Sequence, residues 1–181
     1  MLLVVDNGSA YTSNLLDFLY SKKFEFIMKS DSRVDLNELE NFDSFILTGR
    51  KQNEQKMNKI NSQLVLHAVS KRKKLLGICY GAEILALTLG GTIKKTPSLI
   101  KGTETVSINK KNSLINRNLD VFQSHRYEIS KLGSKLENVA GSDTCKHEIV
   151  KHDELDIFGT QFHPEMTEDG HALIESFVLI H

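Results

Sequence analysis

The fold is decided by the stretch LLGICYGAEILALTLGG at residues 75–91. Its first residues form a short apolar run, which is typical of a strand buried on both faces, and this run ends at Cys79. Apolar residues then recur at helical spacing as far as Gly90-Gly91, where a helix is expected to end. The order strand, cysteine, helix predicts one unit of a parallel α/β sheet with the cysteine at its turn.

The segments before this stretch repeat the alternation of strands and helices. The sequence predicts strands at 2–5, 24–28 and 44–47, with a helix at 11–20 between the first two. A long helix follows, with apolar residues at positions 57, 60, 64 and 68. The four cations at 71–74 suit the negative end of that helix dipole, and we interpret them as a solvated last turn.

The second half of the chain has a different pattern. Short alternating runs after residue 91 indicate antiparallel strands, and they are followed by a last strand at 157–162 and a helix at 171–179. No linker or repeat interrupts the sequence. We therefore predict a single domain over residues 1–181 with a three-layer α/β fold, in which a mostly parallel central sheet carries an antiparallel extension.

The composition narrows the class of protein. The 23 basic and 23 acidic residues give a formal net charge of zero, so no global field favours nucleic acid or an anionic membrane. The apolar run at the N-terminus is too short for a signal peptide or a spanning helix. Two cysteines are too few for a disulfide framework and are typical of a reducing compartment. We expect a cytoplasmic protein that binds neither nucleic acid nor membrane.

Cys79 is the first candidate catalytic residue. Considered alone, a cysteine after an apolar strand is more often a small core residue than a nucleophile. Here Gly77 and Gly81 flank it, as a sharp turn from strand to helix requires, because larger side chains would clash there. The N-terminus of the following helix offers free N–H groups and a positive dipole end, which stabilise a thiolate.

A candidate base and its orienting group lie near the end of the chain. His163 follows the last predicted strand, and Glu165 comes two positions later. In extended chain such residues point to the same side, so the carboxylate can bind one imidazole nitrogen while the other faces a thiol. A surface histidine after a strand is the simpler interpretation of this pair alone. Together with the cysteine turn, however, the pair predicts a Cys79-His163-Glu165 triad.

The two motifs resemble those of the class I, or triad-type, glutamine amidotransferases. The resemblance is carried by Gly77-Ile78-Cys79-Tyr80-Gly81 and by Gln161-Phe162-His163-Pro164-Glu165. Within that family the chain is most similar to the separate glutaminase subunits of archaeal GMP synthases, through short stretches at 6–12, 124–125 and 143–159. Ser13-Asn14-Leu15 is more similar to anthranilate synthase component II. The resemblance implies a flavodoxin-like α/β fold.

This resemblance implies an activity and a partner. Cys79 would attack the side-chain amide of glutamine, His163 would protonate the leaving ammonia, and water would then cleave a γ-glutamyl thioester. Glu165 would orient His163. The ammonia would pass to a separate ATP-pyrophosphatase (synthetase) subunit that makes GMP from xanthosine monophosphate, because this sequence has no phosphate-binding loop. We expect the chain itself to use no metal and no cofactor.

The resemblance also assigns residues around the substrate. The oxyanion of the tetrahedral intermediate would be bound by the backbone N–H groups of Tyr80 and Arg50. The predicted substrate contacts come from three separate parts of the sequence: Gly49, Glu83, Ser124 and His125. We expect the site to lie at the carboxyl ends of the parallel strands, where open α/β sheets place their ligands.

Three positions depart from the family pattern. Gly49-Arg50-Lys51 replaces the usual Gly-Gly-Pro, so Arg50 would carry a strain of about 1 kcal/mol or more if its peptide needed a positive φ. Glu83 replaces a glutamine, and an ionised carboxylate accepts hydrogen bonds but donates none. Tyr127 replaces an aspartate in a loop associated with coupling to the synthetase.

These departures leave two alternatives to a GMP synthase glutaminase. One is a paralogous amidotransferase that serves another synthetase, such as anthranilate synthase, or that acts on a γ-glutamyl compound other than glutamine. The other is a catalytically weak glutamine-sensing protein that keeps the triad without a working oxyanion turn. The identity of the partner protein distinguishes all three hypotheses.

Overall fold

The computed structural model of the chain describes residues 1–180. Within this part the chain forms a nine-stranded sheet and four α-helices. The strands are β1 (Leu2–Asn7), β2 (Phe26–Ser30), β3 (Ser44–Arg50), β4 (Lys74–Ile78), β5 (Thr92–Ile108), β6 (Leu119–Lys131), β7 (Leu136–Gly141), β8 (Ile149–His152) and β9 (Ile157–Thr160). The helices are α1 (Thr12–Ser21), α2 (Gln55–Ser70), α3 (Tyr80–Thr88) and α4 (Glu168–Leu179). Short 3₁₀ helices lie at Asp31–Arg33, Leu36–Asn41 and Pro164–Met166.

The sheet joins a parallel half to an antiparallel half. Its strand order is β2-β1-β3-β4-β9-β8-β7-β5-β6. The first five of these strands pair in parallel, and the pairs from β9 to β6 are antiparallel. The predicted α/β fold with an antiparallel extension is therefore confirmed, with β9 as the strand that connects the two halves.

Alternation along the strands builds a core on each face of the sheet. In β1, Leu2 and Val4 pack on one face with apolar side chains of α1 and α4. Leu3 and Val5 pack on the other face with side chains of α2 and α3. Because successive strand residues point to opposite faces, a continuous apolar run is what a strand covered on both sides needs. The helices on the two faces give the predicted three layers.

Several element boundaries differ from the predictions. β2 begins at Phe26 rather than at residue 24, because the N–H of Phe24 still donates to the carbonyl of Leu19 and closes α1. β9 ends at Thr160, two residues before the predicted end. α4 begins at Glu168, three residues early, since the hydroxyl of Thr167 accepts a hydrogen bond from the first turn.

The basic run at 71–74 is not simply a solvated helix end, so that interpretation was wrong in part. α2 ends at Ser70, and Lys74 already belongs to β4. The ammonium group of Lys73 donates to the carbonyls of Leu39, Glu40 and Phe42 at 2.6–3.1 Å. This lysine therefore holds the 3₁₀ segment before β3 against the sheet. No helix in residues 1–180 combines the length and the apolar character needed to cross a membrane.

Candidate active site

Cys79 occupies a strained turn between β4 and α3. Its φ of 51° and ψ of −103° lie in a region that non-glycine residues rarely adopt, at a cost on the order of 1–3 kcal/mol. The turn depends on its two glycines. A Cβ on Gly77 would stand 2.4 Å from the carbonyl carbon of Gly81, and a Cβ on Gly81 would stand 2.3 Å from the carbonyl oxygen of Leu47. The predicted turn is therefore present and is built from close backbone contacts.

The turn presents the thiol at the N-terminus of α3. Cys79 is the N-cap residue, and its own N–H donates to the carbonyl of Thr160 in β9 at 2.7 Å. Tyr80 is the first residue of the helix, where backbone N–H groups have no partner inside the helix. The positive end of the helix dipole stabilises an anion at this position. This geometry suits the roles predicted for Cys79 as a nucleophile and for the backbone N–H of Tyr80 as an oxyanion donor.

His163 and Glu165 form a buried pair beside this turn. Nδ1 of His163 lies 2.8 Å from Oε1 of Glu165. His163 is extended, as predicted, but Glu165 lies in the following 3₁₀ helix, so the i, i+2 contact uses a bent rather than a fully extended chain. The N–H of His163 donates to the carbonyl of Phe122 at 2.8 Å, and the ring of Tyr11 packs edge-on against the imidazole.

The imidazole of His163 is held in a position to exchange a proton with Cys79. Burial opposes its charged form, but the side chains of Cys79 and Glu165 outweigh burial and raise the pKa of His163 well above its usual value. Because Nδ1 faces Glu165, Nε2 is the nitrogen available to the thiol. The structure therefore brings together the three side chains predicted as a triad.

A cavity of about 370 Å³ opens at this point. Five residues predicted around the substrate line it together with Cys79: Arg50, Tyr80, Glu83, Ser124 and His125. Gly49 does not line the cavity but lies close against the imidazole, because a Cβ there would stand 3.0 Å from Cε1 of His163. The hydroxyl of Ser124 accepts a hydrogen bond from that of Tyr11 at 3.2 Å.

The backbone of Arg50 does not meet the condition under which strain was expected. It has no positive φ, so the backbone carries no penalty for a side chain at this position. Its guanidinium instead crosses the cavity wall, with Nη2 3.8 Å from Oε2 of Glu83 and Cζ 4.4 Å from the centre of the Tyr80 ring. Nη1 donates to Asn53 and, at 3.3 Å, to Oδ1 of Asn58.

One polar residue that contacts this wall was missed from the sequence. Asn58 of α2 accepts hydrogen bonds from both Arg50 and the hydroxyl of Tyr80, the latter at 2.8 Å. Burial raises the pKa of Glu83, while the charge of the nearby Arg50 favours its ionised form.

His125 presents a hydrogen-bond acceptor near His163. Its Nδ1 lies 2.9 Å from the carbonyl of Tyr127, so Nδ1 carries the proton and Nε2 is left as an acceptor. Burial lowers the pKa of His125, which keeps the ring neutral. Nε2 is buried without a partner in the described part of the chain.

Known proteins with similar sequences share one family description. The family model for class I glutamine amidotransferases matches residues 3–180. The chain belongs to this family. Two relatives of this amidotransferase are named as subunits of glutamine-hydrolyzing GMP synthases. The one from Pyrococcus furiosus is 30% identical over 99% of this chain and 98% of its own length. The one from Methanocaldococcus jannaschii is 29% identical over 98% of this chain and 95% of its own length.

Solved structures agree with the amidotransferase fold. A Thermoplasma acidophilum protein provisionally assigned as a GMP synthase subunit has a TM-score of 0.85 and 26% identity, and the match covers 98% of this chain and 91% of that one. A glutamine amidotransferase from Thermotoga maritima has a TM-score of 0.79 at 20% identity, covering 97% of this chain and 81% of that one. The family, the enzyme class and the fold expected from the sequence are confirmed.

Proposed function

We propose that this chain hydrolyses the side-chain amide of glutamine and delivers the ammonia to a separate ATP-pyrophosphatase subunit for the synthesis of GMP from xanthosine monophosphate. The observation that carries the proposal is the thiol of Cys79, held in a strained turn at a helix N-terminus beside the paired His163 and Glu165. The whole of residues 1–181 serves as one glutamine amidotransferase domain.

The first half of the reaction forms a thioester. The Cys79 thiolate attacks the amide carbon of glutamine, and the carbonyl oxygen becomes an oxyanion that accepts hydrogen bonds from the backbone N–H groups of Tyr80 and Arg50. The carbon–nitrogen bond then breaks, and Nε2 of the His163 imidazolium gives its proton to the leaving nitrogen. Ammonia and a γ-glutamyl thioester on Cys79 result.

The second half releases glutamate. Nε2 of the now neutral His163 takes a proton from water, and the oxygen attacks the thioester carbon. The carbon–sulfur bond breaks, and the thiolate and imidazolium are restored. Glu165 stabilises the imidazolium in both halves, while Gly49 lets the chain approach the imidazole closely. Ser124 and the neutral His125 offer polar contacts to the substrate from the opposite wall.

The names and lengths of the relatives support the choice of partner. Both are named as one subunit of a GMP synthase, and both align with this chain over nearly their full length. An activity divided between subunits fits a sequence without a phosphate-binding loop, because activation of xanthosine monophosphate requires ATP.

The proposal is tested by measuring ammonia release from glutamine and then GMP formation from xanthosine monophosphate, ATP and glutamine with an added ATP-pyrophosphatase subunit. We expect ammonia release that depends on Cys79, a γ-glutamyl adduct on this residue after acid quenching, and GMP formation only with both subunits. Ammonia release without GMP formation, combined with anthranilate formation when a chorismate-using subunit is supplied, would establish the paralogue instead. Glutamine binding without ammonia release in either mixture would establish a sensing protein.

A further inference from the structure

Two departures from the family pattern touch each other in the cavity. Arg50 ends β3 and Glu83 lies in the first turn of α3, yet their charged groups come within 3.8 Å. The glutamate is almost fully buried, and the arginine side chain is only 18% exposed. Burying an unpaired charge costs several kcal/mol. The charge of each residue therefore lowers the free-energy cost of burying the other in this wall.

We propose that Arg50 and Glu83 together bind the charged end of the substrate, Arg50 its α-carboxylate and Glu83 its α-ammonium group. This proposal rests on the function proposed above and names its substrate class: γ-glutamyl amides that carry both charges of an α-amino acid. Arg50 is thereby assigned as a specificity-determining residue through its side chain, in addition to its backbone N–H.

The spacing from the nucleophile suits this assignment. Glu83 follows Cys79 by four residues, and its N–H donates to the carbonyl of Cys79 at 3.0 Å. One helical turn rises about 5.4 Å. Three carbon–carbon bonds of about 1.5 Å separate the amide carbon of glutamine from its α-carbon, an extended span of roughly 4 Å. A glutamine whose amide carbon is at the thiol therefore places its charged end about one turn along α3, at the level of Glu83.

The arginine has free capacity for a second carboxylate. Its 3.8 Å separation from Glu83 is longer than a charge-assisted hydrogen bond, which spans about 2.7–2.9 Å, so the two groups are paired by charge alone. Stacking on Tyr80 and the bonds to Asn53 and Asn58 fix the guanidinium plane before substrate arrives. Such pre-organisation reduces the entropy lost on binding.

The charge pattern also explains why positions 50 and 83 both depart from the family pattern. A carboxylate at 83 without a neighbouring cation would repel the α-carboxylate of glutamine, whereas the pair presents one partner to each charge. The burial that raises the pKa of Glu83 is opposed by Arg50 in the free protein. A bound α-ammonium group would oppose it in the same way.

The test compares three substrates with two variants. Glutamine carries both charges, 4-carbamoylbutanoate lacks the α-ammonium group, and 4-aminobutanamide lacks the α-carboxylate. We expect Arg50→Met to lower kcat/KM roughly 10- to 100-fold for the two substrates with a carboxylate and to leave 4-aminobutanamide within about threefold. Glu83→Gln is expected to lower it comparably for the two substrates with an ammonium group and to spare 4-carbamoylbutanoate. For an analogue that turns over too slowly, its inhibition constant against glutamine replaces kcat/KM.

Lys56→Met serves as the matched control, because it removes an exposed cation of α2 that does not line the cavity and should change none of the values. Equal losses for all three substrates would show that the pair only supports the wall, and a gain with glutamine in Glu83→Gln would show that the carboxylate is unfavourable; either result overturns the proposal. Wild-type ammonia release from glutamine is measured first. Its absence would contradict the proposed function itself rather than this assignment.

Discussion

The molecule contains the same three residue types twice, in two very different surroundings. The candidate active site in the parallel half has Cys79, His163 and Glu165. The antiparallel half has Cys145, His147 and Glu148 between β7 and β8. All six residues are buried. Only the first set has a thiol at a helix N-terminus and a carboxylate bonded to an imidazole.

The second set shows what these residues do without those partners. Burial raises the pKa of the Cys145 thiol, and the nearby carboxyl groups of Glu148 and Glu128 add to this effect. Burial lowers the pKa of His147, so no cation forms there. We therefore expect reactivity in this fold to depend on the turn, the helix dipole and the ion pair, and not merely on the presence of cysteine, histidine and glutamate.

The largest expected effect is the difference between alanine substitutions of the two cysteines. Cys79→Ala should lower ammonia release roughly 10⁴-fold or more, because it removes the nucleophile. Cys145→Ala should leave the activity within about twofold and cost about 1–2 kcal/mol of unfolding free energy through the small cavity it creates. Rates of ammonia release and urea unfolding curves check both. Iodoacetamide should label Cys79 alone in the native protein, and labelling of Cys145 would contradict the contrast.

The next effect concerns the carboxylate of the candidate active site. Glu165→Gln keeps the shape of the side chain but removes the charge that helps to raise the pKa of His163. The imidazolium should then lose its proton at lower pH, so the alkaline limb of kcat moves to lower pH. The loss of kcat should be about 10- to 100-fold smaller than that of Cys79→Ala, since an orienting group does not itself transfer the proton. An unchanged alkaline limb would mean that Glu165 does not control the charge of His163.

The parts of the site that the sequence could predict are those set by local spacing. Gly77 and Gly81 enclose Cys79 within five residues, and Pro164 separates His163 from Glu165, so the turn and the ion pair each follow from a short segment. The alternation of apolar residues in β1 likewise indicates a strand that is covered on both faces.

The contacts of Arg50 could not be predicted in this way. Its position depends on how far β3 continues past the predicted end at residue 47, and on how α2 packs against α3. Asn58 accepts a hydrogen bond from Arg50 only because α2 packs against β3 and α3. The same reason explains Lys73, whose carbonyl partners lie about 30 residues earlier in the chain. Side-chain contacts between distant segments require the packed structure.

The smallest effect tests the carboxyl group of the antiparallel half. Glu148 accepts hydrogen bonds from the amide of Gln123 at 2.6 Å and the hydroxyl of Ser142 at 2.7 Å, both neutral donors. Burial, opposed by these two hydrogen bonds, raises the pKa of Glu148 from 4.5 to about 7. Between these two values the folded protein binds the proton more tightly than the unfolded chain does. Stability contributed by this group is therefore present at low pH and lost as the pH rises to about 7.

Glu148→Gln should remove this pH dependence. The new amide keeps the two accepted hydrogen bonds and adds an N–H donor for Oε1 of Gln123, which has no partner among residues 1–180. At pH 8 the variant should be more stable than the wild type by about 1–3 kcal/mol, and near pH 4 the two should be nearly equal. Urea unfolding at several pH values measures the difference, with the exposed Glu54→Gln as control. A difference that stays constant with pH would mean that Glu148 is ionised throughout, and that its neutral neighbours stabilise a buried charge as well as His163 does at Glu165.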